Sequence, residues 1–308
     1  MKFSTTLKKC GALTLAGILL TGMLAGCGSS SNDTAATGTE DAGSAAASSV
    51  SGMIDVVSRE DGSGTRGAFI ELFGIEEKNG DEKVDNTTAS AIIANQTEVM
   101  MQNVSGDENA IGYASLGSLN DSVKAVKIDG VEATTDNVLS GDYTISRPFN
   151  VATKGELSEA AQDFMNYILS EEGQQVVSDN GYIQVAESAE AFQSNGASGE
   201  VTVAGSSSVT PVMEKLKEAY EAVNGNVSIT IQESDSTTGM NSAIEGVCDI
   251  GMASRELSED ELKELTPTQI ALDGIAVIVN NANSIDDLTT EQVRSIFVGE
   301  TTDWSELN

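Results

Sequence analysis

The sequence predicts an α/β protein with largely parallel sheets, and three observations support that prediction. Two segments each open with an apolar strand, continue through a Gly/Ser-rich turn and enter a helix; their strands are residues 54–57 and 201–204. Repeated strand–turn–helix units are typical of α/β folds. A third apolar run, residues 270–280, is long enough as a strand to cross between two lobes.

The remaining elements follow from shorter patterns. Residues 110–114 indicate a short strand, and residues 158–177 carry apolar side chains at helical spacing. Pro211 suits the first position of the helix that follows strand 201–204. Thr289 and Gln292 have the spacing of a capping box, which predicts a last short helix ending near Gly299.

The first residues predict a leader rather than part of the fold. Three lysines precede an apolar run at 12–24, which is shorter than the ~20 residues that a membrane span needs. The run leads through small residues into Cys27. This pattern is typical of a lipoprotein signal peptide at 1–26, with Cys27 as the lipidated residue. The alternative is an ordinary secretory signal that happens to contain a cysteine.

Residues 27–51 are rich in Gly, Ser, Ala and Thr and offer almost nothing apolar to bury, so we expect a flexible tether. Residues 186–199 have a similar composition and are predicted to be an internal linker. Once Cys27 is acylated, Cys248 has no disulfide partner, and its apolar neighbours indicate a buried thiol.

Charge and composition exclude several function classes. The chain has 16 basic and 48 acidic residues, a net charge of −32, and without the leader it carries −35. Such a field disfavours binding to nucleic acid or to an anionic membrane surface. The absence of histidine excludes histidine metal sites and Ser-His-Asp catalysis. We therefore expect an extracytoplasmic, lipid-held protein that is not an enzyme and needs no cofactor or metal.

The strongest local signal lies between the first strand and its helix. Gly62 and Gly64 permit close backbone approach, Ser63 and Thr65 supply hydroxyls, and the helix presents unpaired N–H groups. Arg59 adds a charge-assisted, bidentate donor. The turn lacks the lysine of a GxxxxGK[ST] loop, so it predicts an anion site rather than nucleotide hydrolysis.

Three further turns repeat this chemistry at predicted strand ends. They contain residues 205–208, residues 234–240 and the pair Ser254–Arg255. Each turn alone could be a helix cap. Because ligands of parallel α/β sheets bind at the carboxyl ends of the strands, four such turns together predict one shared oxyanion site.

These motifs resemble the phosphate-binding proteins of Pst-type ABC importers from about residue 53 to residue 304. The matching strings are VVSREDGSGTRGAF (56–69), AIGYASL (110–116), GSSSVTPV (205–212), DIGMASREL (249–257), IALDGIAVIVN (270–280) and IFVGETTDW (296–304). Their order differs from the family, in which the GSSSVTP block comes first. A circular permutation that joins the family's usual ends through 186–199 explains the order; a truncated tandem protein is the rival explanation.

The resemblance implies a two-lobed, periplasmic-binding-protein-like fold, with each lobe a mostly parallel sheet flanked by helices and two crossing segments. One lobe would comprise 52–147 and 281–308, and the other 148–280, with hinges near 147–148 and 279–281. Phosphate would bind in the cleft. The implied phosphate-binding residues are Arg59, Ser63, Gly64, Thr65, Ser207, Ser208, Ser236 and Ser254.

One position departs from the family pattern, because some members carry an aspartate where this chain has Ser254. That aspartate accepts a hydrogen bond from protonated phosphate. Asp273 is a candidate replacement, and it is equally a candidate structural partner for Arg255.

The function that follows is capture of inorganic phosphate, as a monomer, for the permease and ATPase subunits of an ABC importer. A receptor for another tetrahedral oxyanion such as sulfate and a surface sensor or adhesin on the same fold remain alternatives. A secreted phosphatase is disfavoured, because the sequence shows no nucleophile–base pair and no clustered carboxylate ligands.

Overall fold

A computed structural model describes residues 51–79, 82–185 and 189–307. The predicted signal peptide, Cys27 and almost all of the predicted tether lie outside these residues. Within them, no helix is long and apolar enough to cross a membrane.

Strands and helices alternate along most of the chain, as the sequence predicts. The strands are β1 (Asp55–Arg59), β2 (Glu76–Asn79), β3 (Glu82–Asp85), β4 (Ile92–Ala94), β5 (Ala110–Ser115), β6 (Val123–Ala125), β7 (Lys127–Ile128), β8 (Ser146–Thr153), β9 (Gly199–Ser206), β10 (Val227–Ser234), β11 (Ile250–Ala253), β12 (Thr266–Asn280) and β13 (Asp287–Leu288). The helices are α1 (Gly64–Leu72), α2 (Thr97–Gly106), α3 (Thr135–Ser140), α4 (Glu159–Ile168), α5 (Glu171–Asp179), α6 (Thr210–Val223), α7 (Ser236–Ile244), α8 (Glu261–Glu264) and α9 (Thr290–Phe297).

Two helices differ from their predictions. The predicted helix 158–177 is two helices, α4 and α5, because the hydroxyl of Ser170 accepts a hydrogen bond from the backbone N–H of Gly173 and starts a new helix. Helix α6 begins at Thr210, one residue earlier than expected, so that Pro211 occupies the second position. The capping box of Thr289 and Gln292 is present at the start of α9 and confirms that prediction.

Most strands join one mixed sheet in the order β10-β9-β11-β8-β12-β5-β1-β4, with β6 also paired to β12. At one end β10, β9 and β11 are parallel, and at the other end β5, β1 and β4 are parallel. Between them the long strands β8 and β12 pair antiparallel with each other. Each end of the sheet is therefore a parallel α/β unit, and β8 and β12 join the two.

The buried apolar side chains form two main cores, which define two lobes. The first core extends from Val56 to Ile145 and resumes at Ile275, and the second extends from Phe149 to Ala271, with a small satellite cluster around Met240. Ile183 also packs in the first core. The chain thus crosses between lobes at residues 146–148 and 272–274.

The second crossing therefore precedes the predicted hinge at 279–281. The sequence predicts that residues 275–279 belong to the second lobe. In the structure they pack in the first core, because β12 pairs there with β5.

The two ends of the described chain lie side by side in the first lobe. Met53 and Asp303 form an antiparallel bridge, and the backbone N–H of Trp304 donates to the carbonyl of Gly52 at 3.0 Å. Trp304 is fully buried in the first core. Within the predicted linker, residues 189–198 contain no helix or strand, and three preceding residues lie outside the description.

The buried carboxylate of Asp163 holds the predicted linker against the second lobe. Asp163 accepts hydrogen bonds from the Ser194 hydroxyl and the Asn195 N–H at 2.8 Å each, and from the Tyr220 hydroxyl at 2.9 Å. Burial opposes its ionisation, but these donors and Asn224 lower the pKa of Asp163 below its usual range.

Cys248 is buried, as predicted, and burial raises the pKa of its thiol to about 11.

Candidate functional site

The four hydroxyl-rich turns lie at the carboxyl ends of parallel strands, where the sequence predicts a ligand site. Strand β1 leads into α1, β9 into α6 and β10 into α7, while β11 ends beside Ser254. The turns after β9, β10 and β11 belong to the second lobe and the turn after β1 to the first. Side chains from the two lobes therefore meet between them.

Arg59 provides the positive charge of this meeting point. It is 2% exposed, and its guanidinium donates to the carboxylate of Glu60 through Nε and Nη2 at 2.8 and 2.9 Å. Its Nη2 also donates to the Ser207 hydroxyl of the other lobe at 2.8 Å. Arg59 thus lies at the lobe boundary with one carboxylate partner and hydroxyl neighbours.

A cluster of hydroxyls continues from Ser207. The Thr65 and Ser208 hydroxyl oxygens are 2.8 Å apart. Thr97, at the start of α2, lies 3.1 Å from the Ser208 hydroxyl and 3.4 Å from the Ser207 hydroxyl, and it accepts from Arg59 Nη1 at 3.3 Å. Thr97 thus connects Arg59 of the first lobe to the two serine hydroxyls of the second lobe, and no sequence motif predicted it.

A second group of hydroxyls lies against the first turn of α1. Ser254 Oγ is 3.0 Å from Ser206 Oγ and 3.5 Å from Ser236 Oγ, and the Ser254 N–H donates to Ser236 at 3.1 Å. A Cβ added to Gly64 would lie 2.5 Å from Ser236 Oγ and 2.8 Å from Ser254 Oγ. Only glycine fits at position 64, because both serines reach its backbone.

The hydroxyl of Ser63, unlike those of the other predicted site residues, caps a helix. Its hydroxyl accepts from the backbone N–H of Arg66 at 3.3 Å and caps α1, and the side chain is buried. It also lines a cavity of about 240 Å³ between the lobes, together with Thr237 and Arg255. The structure therefore brings Arg59, Thr65, Ser207 and Ser208 into direct contact, sets Ser236 and Ser254 against Gly64, and leaves Ser63 as a cap beside them.

The hydroxyl cluster opens into a cleft of about 430 Å³ that both lobes line. Its lining includes Thr97 and Ser207 of the hydroxyl cluster and the carboxylates of Glu98 and Glu233. Burial and the neighbouring Glu98 raise the pKa of Glu233, and Arg59 opposes that shift. The cleft gives a small solute a route to the buried donors.

Asp273 pairs with Arg147 and not with Arg255. The two side chains are almost fully buried, with Asp273 Oδ2 3.2 Å from Arg147 Nη2, and Asp273 Oδ1 accepts from the Gly117 N–H at 3.3 Å. Burial raises the pKa of Asp273 to about 6, and Arg147 opposes the shift. The alternative in which Asp273 partners Arg255 is wrong, because the register of β8 and β12 places Asp273 opposite Arg147 at the two crossings.

Arg255 instead forms a bidentate pair with Glu261 at 2.8 and 2.9 Å. Its Nη2 also donates to the Thr237 hydroxyl at 3.2 Å. Arg255 therefore supports the first turn of α7, next to Ser236.

The arrangement has the chemistry of an oxyanion receptor. It combines a buried guanidinium, rotatable hydroxyls and helix N-termini, all of which donate hydrogen bonds to a negatively charged oxygen. Among residues 51–79, 82–185 and 189–307, no group of three or more cysteine or carboxylate side chains is placed to hold a metal ion.

Comparison with known proteins first defines the class. A family model described as a PBP superfamily domain matches residues 32–172 and 190–308, so the chain belongs to that superfamily. This agrees with the two-lobed α/β fold.

Within the superfamily, the chain belongs to the PstS family of phosphate-binding proteins. It is 55% identical over 304 residues to the phosphate-binding protein PstS 2 of Streptococcus agalactiae serotype V, an alignment that covers 98% of both chains. A crystal structure of the phosphate-binding protein of a phosphate ABC transporter from Streptococcus pneumoniae TIGR4 is 48% identical, with a TM-score of 0.68; the match covers 83% of this chain and 100% of that one. The PstS of Bacillus subtilis is 35% identical over 147 residues, which is 46% of this chain and 45% of that protein.

Proposed function

We propose that this chain captures inorganic phosphate outside the cytoplasm and delivers it to an ABC importer. The convergence of Arg59 with hydroxyls from both lobes, at 2.8 Å from Ser207, carries this proposal. The relatives of this chain in the PstS family are named as phosphate-binding proteins, which supports phosphate as the ligand. Phosphate would displace hydroxyl–hydroxyl contacts and accept hydrogen bonds from the same groups.

Binding needs no covalent step. Local donors can hold an anion on an acidic protein because the lobes exclude water around them, which strengthens each interaction. Hydrogen bonds to a charged group contribute about 1.5–3 kcal/mol each. Several of them, together with Arg59, would suffice for micromolar affinity, which requires about 8 kcal/mol. The relatives are named as phosphate-binding proteins, one of them from a phosphate ABC transporter, in keeping with a receptor rather than an enzyme.

The proposed phosphate-binding set is Arg59, Gly64, Thr65, Ser207, Ser208, Ser236 and Ser254, with Thr97 added from the structure and Ser63 as the cap of α1. Closure would occur at the two crossings, residues 146–148 and 272–274. Arg147 and Asp273 lie there and join the two crossing strands through a buried ion pair.

Ser254 bears on the choice between phosphate and sulfate. A serine hydroxyl can accept from a protonated phosphate or donate to a fully ionised oxyanion. Sulfate is therefore the second candidate ligand, and competition between phosphate and sulfate in a calorimetric titration separates the two.

The proposal includes anchoring by a lipid on Cys27 and a flexible tether, which the leader pattern of the sequence supports. It also includes a circular permutation relative to the Bacillus subtilis type of PstS. Two observations support the permutation: residues 52–54 and 302–304 pair with each other, and the alignment to the Bacillus protein covers less than half of each chain.

Arg59→Ala tests the proposed ligand site. We expect the dissociation constant for phosphate, measured calorimetrically on ligand-stripped protein, to rise at least tenfold, because a charge-assisted contact worth about 1.5 kcal/mol or more is lost. Arg294→Ala, on the remote helix α9, is the control and should leave binding unchanged. An unchanged constant for Arg59→Ala would show that the turn is only structural.

A further inference from the structure

One contact between the lobes outside the proposed anion site involves the carbonyl oxygen of Gly62. This carbonyl belongs to the turn between β1 and α1 in the first lobe. It accepts two hydrogen bonds from Thr237 of the second lobe, one from the backbone N–H at 3.2 Å and one from the hydroxyl at 3.1 Å. Thr237 is the second residue of α7, so its N–H has no carbonyl partner within its own helix.

The Thr237 hydroxyl is itself held in place from the second lobe. Arg255 Nη2 donates to it at 3.2 Å, and Glu261 fixes the Arg255 guanidinium through two bonds. The hydroxyl therefore accepts from Arg255 and donates to Gly62. This chain of contacts runs from Glu261 through Arg255 and Thr237 to the first lobe, and we call it the Gly62 latch.

Gly62 is suited to this contact by its backbone. Its φ of +85° lies in the left-handed region, and a Cβ there would be 2.6 Å from Asp235 Oδ1 and 3.3 Å from Thr237 Cβ. Both the conformation and the space exclude a larger residue. The lobes can thus approach at this point only because position 62 is glycine.

The latch is adjacent in sequence to the proposed phosphate-binding residues. Thr237 follows Ser236, Arg255 follows Ser254, and Gly62 precedes Ser63 and Gly64. Movement of Thr237 relative to Gly62 would therefore displace Ser236 and Ser254 relative to Gly64, where an added Cβ would already be within 2.8 Å of both serines. The latch contacts and the anion site therefore form in the same closing movement of the lobes.

We propose that Thr237 and Arg255 are positioning residues for anion binding: Thr237 holds the closed arrangement of the lobes by binding the Gly62 carbonyl, Arg255 holds the Thr237 hydroxyl in place, and neither contacts the anion. The inference rests on the proposed function, because one of its tests measures affinity for phosphate. The two hydrogen bonds from Thr237 to the Gly62 carbonyl join the lobes and form only when the lobes are closed, so the loss of either bond favours the open form and accelerates ligand release. Affinity falls by the same factor as the closed population.

Thr237→Val tests the proposal, because it removes the hydroxyl and keeps the shape and the N–H bond. We expect the dissociation constant for inorganic phosphate to rise about three- to tenfold, the loss of one hydrogen bond, through faster dissociation in stopped-flow measurements. Thr237→Ser keeps the hydroxyl and should restore wild-type binding. Arg255→Lys keeps a charge opposite Glu261 but lacks the fork that reaches Thr237, and it should weaken binding in the same direction.

Thr230→Val is the matched control, since Thr230 is exposed on β10 of the same lobe. Small-angle X-ray scattering supplies a readout that does not depend on the ligand: phosphate-free Thr237→Val should be more expanded than phosphate-free wild type, and the two should agree in saturating phosphate if phosphate binds. Thermal melts confirm that each variant is folded.

Two failures are distinguishable. If wild-type protein gives no heat with phosphate, the proposed function fails, and the phosphate-free scattering comparison alone decides the latch. If Thr237→Val matches Thr230→Val in both phosphate affinity and phosphate-free scattering, the latch is refuted while phosphate capture stands.

Discussion

Thr97→Val is the substitution that best tests whether the two lobes share one hydroxyl cluster. Valine has nearly the shape of threonine, so the change removes one hydroxyl and little else. That hydroxyl lies 3.1 Å from Ser208, 3.4 Å from Ser207 and 3.3 Å from Arg59 Nη1, and Thr97 is only 4% exposed.

The expected magnitude follows from the partners that remain. Ser208 keeps its contact with Thr65 and Ser207 keeps its bond from Arg59, both at 2.8 Å, so the loss is that of one buried hydrogen-bonding group. Such a loss costs about 1–2 kcal/mol. Because 1.4 kcal/mol is tenfold in affinity, we expect phosphate binding to weaken about 5- to 30-fold.

Isothermal titration calorimetry of ligand-stripped protein measures this effect, with Thr230→Val as the exposed control. Thermal unfolding in parallel separates a loss of binding from a loss of folded protein. A dissociation constant for Thr97→Val within twofold of the wild-type value would refute the assignment of Thr97 to the anion site, and the cluster would then be only packing between the lobes.

Two further predictions concern a glycine and a buried carboxylate. Gly64→Ala should weaken phosphate binding at least tenfold, because its Cβ would lie 2.5 Å from Ser236 Oγ. Gly67→Ala, in the same helix, has open space at its Cβ and should bind phosphate normally and gain up to about 1 kcal/mol of stability. Equal phosphate binding by the two variants would contradict the close approach of Ser236 to Gly64. Asp163→Asn should lower the free energy of unfolding by about 1–3 kcal/mol at pH 7, in urea titrations with Asp142→Asn as the exposed control. The pKa of Asp163 is depressed in the folded protein, so its contribution is present above the unfolded pKa of about 3.9 and is lost as the pH falls through the folded pKa; a variant with the same acid sensitivity as wild type would contradict this role.

The turns of the site were predictable because each carries its own local signal. Gly, Ser and Thr at the end of an apolar strand, with a helix directly after, identify residues 62–65, 205–208 and 236 without knowledge of the partner lobe. Parallel pairing then places such turns at one edge of a sheet. The alternation of strands and helices in the same segments gave the fold class.

Thr97 escaped prediction because its turn lacks those residues. Helix α2 begins after Gln96, which makes no side-chain cap, and the short strand β4 before it has exposed isoleucines. Thr97 reaches Arg59 because β4 pairs in parallel with β1 and places Ala94 opposite Arg59. The strand-to-helix transition was the only available signal, and it does not distinguish a ligand site from an ordinary helix start.

The partners of the charged residues also depend on non-local register. Asp273 had two candidate roles in the sequence, and the pairing of β8 with β12 assigned it to Arg147, 126 positions away. Arg255 pairs with Glu261, six positions on, across the turn that leads into α8. Neither spacing follows from a helical or strand period, so composition alone could not choose between these pairs.

A crystal structure of the chain grown with phosphate would locate the ligand itself. We expect one phosphate between the lobes, with its oxygens within hydrogen-bonding distance of Arg59, of Ser207 or Ser208, and of the Ser236 hydroxyl. Phosphate bound elsewhere, or contacting residues of a single lobe only, would contradict the claim that hydroxyls from both lobes and one buried arginine form the receptor.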